Sequence, residues 1–360
     1  MALTSAARDP RASTGRSHRS EWLAAYGFIA IPMLLFLILN IGSILYAVYI
    51  SVFQWNIRSG AEKFIGVKNY VNAISDPTFH KAIENSVYYA FVWVPLTMAV
   101  GLFLAVLVNQ KLRGRTFFRA AYYFPAIASS AAITILWIFL AAPDGFFNQV
   151  RAALGLNGLF ALFGYPPNQN WIGDADTALN SVILLNAWTT SGTFMLFYLA
   201  SLQTISNEVY EAAAIDGAGT WQTFRRITFP LLRPGHYFVA TVAVIGALQL
   251  FDQAAIAGGP NGDPANALMT VVLYLYNQAF TKFDFDYAAS IGLILFVVIM
   301  TITLVQQAPS AKPGSGFMKG FTDVQDAFNK AFLTEVQKKT YNAAPVIQAT
   351  SAAVDKALSS

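Results

Sequence analysis

The 360-residue sequence contains no cysteine and few charged residues, which make up only 12% of the chain. The missing cysteine excludes disulfides, thiolate metal sites, a cysteine nucleophile and a lipidated N-terminal cysteine. The phosphate-binding pattern G-x-x-x-x-G-K-[ST] is missing too, so any ATP that drives this protein must bind another polypeptide. His80 and His236 have no companion residues that indicate a metal site or a proton relay. We therefore expect no metal and no cofactor in this chain.

Apolar residues are abundant instead. Hydrophobic residues make up 56% of the chain and aromatic residues 14%, and the mean hydropathy is +0.48. A helix needs about 20 apolar residues to cross roughly 30 Å of hydrocarbon. Six stretches of about that length or more lack Asp, Glu, Lys and Arg: Trp22–Ile57, Asn85–Gln110, Ala120–Ala142, Thr177–Asn207, Pro234–Phe251 and Tyr287–Ala311. The sequence therefore predicts an all-α membrane protein with six transmembrane helices and both termini on one side.

The distribution of lysine and arginine predicts the orientation of these spans, because cytoplasmic loops retain positive charge. Basic residues cluster in the N-terminal arm, the second connection and the fourth connection: Arg8, Arg11, Arg16, Arg19, Lys111, Arg113, Arg115, Arg119, Arg225, Arg226 and Arg233. These segments, including the arm at 1–21, are expected to lie in the cytoplasm together with both termini. Such anchoring charges explain the net charge of +4 without any nucleic acid.

Two segments outside the spans have helical patterns. The residues from Asn69 to Ile74 predict a short amphipathic helix on the outer surface. The outer loop 143–176 has Gly, Pro and Asn punctuation around an apolar helical run near Val150–Leu156. Composition alone leaves two alternatives open for this loop: it contacts a partner, or it covers the membrane surface.

A polar, turn-rich stretch, EAAAIDGAGTWQTFRRITFPLLRP, spans Glu211–Pro234 between two predicted spans. Ser206 is a candidate N-cap residue for a helix that Gly217 ends. A second helix is expected over Thr220–Ile227, before Pro230 and Pro234 interrupt the chain at its return to the membrane. The pattern predicts a helix–turn–helix on the cytoplasmic surface, where alanine and glycine allow another protein's backbone to come close.

This stretch resembles the EAA motif of the membrane permease subunits of bacterial ABC importers. The matching positions, with their spacing, are Glu211-Ala212-Ala213, Gly217, Ile227 and Phe229-Pro230, where phenylalanine replaces the usual leucine. Other segments are similar to the carbohydrate-uptake, maltose-type branch of these permeases: FIGVKNYVNAISDPTF, LRGRTFFRAAYYFPAI, APDGFFNQ, NAWTTSGTFMLFYLASLQTISNEVYEAAAIDGAG and FDFDYAASIGLILFVVIMTIT. The resemblance covers roughly residues 22–306.

The resemblance implies a type I importer fold in the bacterial inner membrane, with a six-span permease domain at 22–306 and an EAA loop at 206–234. It implies four kinds of partner: a second homologous permease, two cytoplasmic ATPase subunits that bind ATP and Mg, an extracytoplasmic sugar-binding protein and membrane lipid. The chain itself is then not an enzyme. Glu211, Ala212, Ala213 and Gly217 are expected to dock on the ATPase. The alternative is a self-sufficient secondary transporter or channel, which would need no ATPase.

Polar and aromatic side chains in two predicted spans are candidates for the substrate path, because a sugar presents hydroxyls and apolar ring faces. They are Asn186, Trp188, Gln249, Asp252 and Gln253. Other roles remain open, such as an interfacial acid for Asp252 and an interhelical hydrogen bond for Asn186. The sequence does not name the sugar.

The C-terminal tail departs from the family. Residues 307–360 contain a Pro/Gly/Ser linker and an amphipathic helical pattern that such permeases usually lack. The role of this tail is unknown from the sequence.

Overall fold

A computed structural model describes residues 17–110 and 114–307 of the chain, and most of these residues are helical. Most of the predicted cytoplasmic arm at 1–21, three residues of the second connection and the tail after 307 lie outside the described residues. Five described helices are long and apolar enough to cross a membrane: Ala25–Ser51, Pro77–Asn109, Ala175–Leu202, Arg233–Gly258 and Phe285–Gln306. A sixth span results if one bent helix pair is counted as a single span.

The described helices are numbered here in chain order. They are α1 Ser17–Phe36, α2 Ser43–Ser51, α3 Lys68–Ser75, α4 Pro77–Asn109, α5 Arg115–Ile127, α6 Ser130–Leu140, α7 Phe146–Ala153, α8 Asn157–Ala161, α9 Ala175–Leu202, α10 Asn207–Ile215, α11 Thr220–Thr223, α12 Phe229–Leu231, α13 Arg233–Leu248, α14 Asp252–Gly258, α15 Val271–Tyr276 and α16 Phe285–Gln307. Short π-helical segments extend three of them: Leu37–Gly42, Phe224–Thr228 and Asn277–Thr281.

The third predicted span, Ala120–Ala142, is not one helix. It consists of α5 and α6, which meet at 94°. The break lies at Ala128 and Ser129, whose ψ angles of 154° and 128° are far from helical values. Two non-helical residues are enough to change the direction of the chain. Neither residue is charged, so the uncharged run in the sequence continues across the break and does not reveal it.

A two-stranded antiparallel sheet also departs from the all-α expectation. Strands β1 Phe53–Asn56 and β2 Gly60–Phe64 pair Phe53 with Phe64, and the Phe53 and Phe64 ring centroids lie 5.3 Å apart. Gly60 has a φ of +75°, a left-handed conformation that suits glycine at a tight turn. The first helical span therefore ends at Ser51, although the uncharged run continues to Ile57.

The core forms where α4 and α9 pack side by side. Large buried side chains fill this contact, including Tyr89 and Trp93 of α4 and Phe194 and Tyr198 of α9. A Cβ atom added at Gly101 would lie 2.7 Å from the Phe194 Cβ. Small residues allow such close approach of helices within a membrane, where packing drives helix association. Helix α13 packs on both helices of this pair and α5 packs on α9, whereas α2 of the first span packs on α16.

Asp76 ties three helices together at the N-terminus of α4. Its carboxylate accepts hydrogen bonds from the Thr78 amide at 2.8 Å and the Phe79 amide at 3.4 Å. It also accepts bonds from the hydroxyls of Tyr274 on α15 and Tyr287 on α16. Partial burial works to raise the pKa of the Asp76 carboxyl, but these hydrogen bonds outweigh it and hold the pKa below its ordinary value. The ionised carboxylate thus stabilises the cap.

Candidate coupling helix and substrate path

The stretch that begins at Glu211 belongs to α10, Asn207–Ile215, which lies between the spans α9 and α13. Ser206 occupies the N-cap position with an extended ψ of 145°. Within the described part of the chain, its hydroxyl makes no capping hydrogen bond. Four residues, 203–206, separate α10 from the end of α9. A short connection of this kind couples the position of α10 to that of the span.

Gly217 ends α10 in a Schellman motif. The Gly217 amide donates to the Ala214 carbonyl at 3.1 Å, and the Ala218 amide donates to the Ala213 carbonyl at 2.9 Å. These are the two bonds that define the motif, and they require a left-handed residue after the helix. Gly217 has a φ of +75°, which costs glycine little and other L-residues about 1–2 kcal/mol. The EAA glycine therefore has a conformational role at the helix end.

Three of the four predicted ATPase-docking residues lie on α10, on two of its faces, and Gly217 follows its end. Ala213 is only 5% exposed, so its methyl group is turned toward the rest of this chain. Glu211, Ala212 and Gly217 are exposed. Ile215, which sequence reasoning did not single out, is 86% exposed and is the most accessible large apolar side chain on the helix. The exposed face of α10 thus contains an acid, a small residue and an isoleucine. Ala213 lies on the opposite face, which packs against the rest of this chain.

The second helix of the stretch is longer than expected. It begins at Thr220 as α11 but continues through the π-helical segment Phe224–Thr228 into α12 and α13. Pro230 and Pro234 each occupy the first turn of a helix, where their missing N–H is not needed. The prolines therefore begin helical segments instead of separating them. As a result, a nearly continuous helical path leads from α11, which follows α10 after the 216–219 turn, into the span α13.

His236 of α13 contacts both α9 and α12. Its Nδ1 atom lies 3.1 Å from the Tyr198 hydroxyl, and its Nε2 atom lies 3.2 Å from the Phe229 carbonyl oxygen. The side chains beside it line an apolar groove of about 740 Å³ that also includes Phe103 and Trp221. Both ring nitrogens of His236 are thereby engaged in contacts within the protein, as expected for a structural histidine.

The substrate-path candidates fall into three settings. Asn186 is buried on α9, next to Tyr89 of α4. Gln249 and Asp252 are exposed at the break between α13 and α14. Trp188 is 45% exposed on α9. This burial favours the interhelical role for Asn186, and its role in the substrate path stays a prediction.

Helix α6 contacts two of the candidates, Trp188 near its C-terminal end and Gln253 at its N-terminus. The Trp188 ring stacks on Trp137 of α6, with centroids 6.3 Å apart. The Gln253 amide donates to the Ser130 hydroxyl, at the other end of α6, at 2.9 Å. Sequence reasoning missed Trp137 and Ser130, because their importance follows from contacts across helices and not from a local motif. In the sequence, Trp137 is one of several aromatic residues in its predicted span, and nothing local distinguishes it.

The fold is that of an ABC importer membrane subunit. One solved structure, a bacterial alginate ABC transporter in complex with an alginate pentasaccharide-bound periplasmic protein, contains a chain that matches with a TM-score of 0.69 and 20% identity. The match covers 82% of this chain and 97% of that one. At this identity the comparison establishes the fold alone.

Sequence comparison adds the family. Residues 97–308 match the family described as "Binding-protein-dependent transport system inner membrane component". The probable ABC transporter permease YurN of Bacillus subtilis is 34% identical, with 77% of this chain and 92% of that protein covered. The lactose transport system permease LacF of Rhizobium radiobacter is 32% identical, with 82% and 97% covered. The chain belongs to this family.

Family membership and the relatives confirm four predictions from the sequence. The chain is a multi-pass inner-membrane protein and a permease subunit of an ABC importer, as the EAA motif and the flanking segments indicated. It is a transport subunit and not an enzyme. Its resemblance to the carbohydrate-uptake branch is confirmed by relatives such as LacF and the arabinooligosaccharides permease AraP of Bacillus subtilis, which is 34% identical.

Proposed function

We propose that this chain forms one half of the translocation pathway of an ATP-driven carbohydrate importer and that α10 is the element on which a separate ATPase acts. The observation that carries the proposal is the position of α10, a capped surface helix with an exposed Glu211, Ala212 and Ile215 between two spans. A motion imposed on such a helix would reach α9 through a short connection, and α13 through the 216–219 turn and a nearly continuous helical path. The chain needs no nucleotide site of its own.

The proposed complex contains a second homologous permease, two cytoplasmic ATPase subunits that bind ATP and Mg, and an extracytoplasmic sugar-binding protein. Both termini lie in the cytoplasm, with six spans if α5 and α6 count as one broken span. The permease domain covers 22–306, between the cytoplasmic arm at 1–21 and the tail at 307–360. Alternating access in this type I fold requires that the sugar and its binding protein favour one state over the other, because a ligand with equal affinity for both shifts nothing.

The sugar is proposed to pass beside the stacked pair Trp137 and Trp188. Aromatic faces bind the apolar faces of sugar rings, and Gln249, Asp252 and Gln253 offer hydrogen-bonding groups at the α13–α14 break. Asn186 is proposed to act by holding α9 against α4 through Tyr89, not by touching the sugar.

Replacing Trp188 with alanine is expected to raise the KM of sugar uptake about three- to tenfold, because one aromatic contact contributes roughly 0.5–1.5 kcal/mol. The measurement is initial uptake at graded concentrations of sugar-loaded binding protein into proteoliposomes that contain the assembled complex. Leu184→Ala is the matched control, since Leu184 is exposed one turn earlier on α9. Equal KM values for both variants would exclude Trp188 from the path.

Reconstitution tests the proposed function as a whole. Uptake of a labelled oligosaccharide by proteoliposomes is expected only when this chain, its partner permease, the ATPase, the binding protein and ATP are all present. Uptake by this chain alone, driven by an ion gradient, would instead establish a self-sufficient secondary transporter.

A further inference from the structure

The loop between α6 and α9 is folded around a buried arginine. Arg151 of α7 is only 5% exposed. Its Nη2 atom donates to the carbonyl oxygens of Pro166, at 2.6 Å, and Pro167, and its Nε atom donates to the Asn157 side chain at 3.0 Å. The guanidinium carbon lies 5.2 Å from the Phe160 ring centroid, within the range of a cation–π interaction. Arg151 thus joins α7, α8 and the following turn into one unit.

A second set of hydrogen bonds fixes the same unit. The Asn148 amide donates to the Gln169 carbonyl at 2.8 Å, and the Trp171 indole donates to the Asn148 side-chain oxygen at 3.0 Å. The Trp171 ring also lies 5.6 Å from the Arg151 guanidinium carbon. These contacts give the loop a defined shape, so its inner and outer faces can be distinguished.

The outer face of this loop is apolar and uncharged. Arg151 is the only charged residue between positions 145 and 173, and its charge is directed inward. Large apolar side chains are exposed instead: Phe146, Leu154, Leu159, Leu162 and Phe163. Leu162, at 82%, is the most exposed of them. A water-facing loop ordinarily presents its charges and rarely a cluster of large apolar residues, so this face requires an apolar environment.

The exposed face is continuous with the surface of a membrane helix. Phe139, near the end of α6, is exposed, and α7 follows after a tight turn. A Cβ atom added at Gly145 would lie 2.5 Å from the Leu140 carbonyl oxygen, which shows how closely the turn folds back. The rings of Trp137 on α6 and Phe147 on α7 have centroids 4.8 Å apart. Exposed apolar residues therefore lie on both sides of this turn, Phe139 on α6 and Phe146 on α7.

We propose that residues 145–173 of this loop lie in the membrane interface, with Leu154, Leu159, Leu162 and Phe163 inserted among lipid acyl chains. The occupant of this face is lipid because the face exposes no charge and extends the surface of α6. Insertion anchors the end of α6, the helix whose Trp137 stacks on Trp188. Of the two alternatives left open by the sequence, the proposal selects the membrane surface.

Spin labelling tests the proposal, since the chain contains no native cysteine. Leu162→Cys and Phe163→Cys are labelled separately with a nitroxide in the assembled complex, using partner subunits without cysteine, in nanodiscs of phosphatidylethanolamine and phosphatidylglycerol. Asn168→Cys, at an exposed polar position in the same loop, is the control. The collision rates of each label with oxygen and with the water-soluble nickel complex NiEDDA are measured by continuous-wave saturation.

We expect oxygen collisions to exceed NiEDDA collisions at Leu162 and Phe163, and the reverse at Asn168. A NiEDDA excess at both apolar positions would overturn the proposal, because the face would then lie in water. Labels shielded from both reagents would also overturn it, because a protein partner would then cover the face. Labelling two positions separately shows whether a result is due to a local distortion at one of them.

Discussion

Replacing Gly217 with valine is expected to lower ATP-driven sugar uptake about tenfold or more while the complex still assembles. The substitution acts through the backbone, since no heavy atom of the described residues, its chain neighbours aside, lies within 4 Å of a Cβ atom built there. Valine at a φ of +75° is strained by at least about 1–2 kcal/mol, and relief of this strain breaks the two Schellman hydrogen bonds. The end of α10 then no longer presents Glu211 and Ile215 in the orientation that the ATPase engages.

Two variants separate coupling from general damage. Gly219→Val introduces the same side chain two residues later, where φ is −69° and the described residues leave the same open space, so near-normal uptake is expected. Gly217→Asn is expected to retain more activity than Gly217→Val, because asparagine tolerates the left-handed conformation. The measurements are uptake and binding-protein-stimulated ATPase activity of the purified complex. Full coupling in Gly217→Val would refute the role of the cap.

Replacing Gly192 with leucine is expected to abolish assembly of the subunit. A Cβ atom at Gly192 of α9 would lie 2.3 Å from the Tyr122 carbonyl oxygen and 2.8 Å from the Tyr123 Cα atom of α5. Both are backbone atoms, which cannot turn away as a flexible side chain can, so the two helices must separate. The broken span formed by α5 and α6 would then lose its support on α9.

The yield of monodisperse complex in size-exclusion chromatography measures this effect. Gly246→Leu is the matched control, because Gly246 also lies in a membrane helix but no described heavy atom outside its own helix turn lies within 4 Å of its Cβ position. We expect a normal yield for the control and no assembled complex for Gly192→Leu. Normal assembly of both variants would show that α5 does not pack on α9 as described.

The spans were predictable from the sequence because charge is excluded from the hydrocarbon region over about 20 residues. Their ends were less so. Helix α4 begins eight residues before the predicted Asn85, since Asp76 and Pro77 form a strong start signal and Lys81 and Glu84 extend the helix beyond the uncharged run. Strand β1 was not predicted, because its residues carry no charge and the sequence there continues the first apolar run.

The candidate coupling helix was predictable because its information is local. Small residues, a cap position and Gly217 all lie within a dozen positions of one another. The contacts of the candidate substrate-path residues were not predictable, because the pairing of Trp188 with Trp137 and the proximity of Asn186 to Tyr89 join distant segments. The inward orientation of Ala213 likewise follows from packing and not from the motif.

Site-specific cross-linking tests the docking of α10 most directly. Ile215→Cys is modified with a thiol-reactive photocrosslinker in the assembled complex and illuminated in the membrane, and Leu162→Cys in the outer loop receives the same reagent. We expect a covalent product between this chain and the ATPase subunit from position 215 and none from position 162. The absence of an ATPase product from position 215, or equal products from both positions, would contradict the assignment of α10 as the coupling helix.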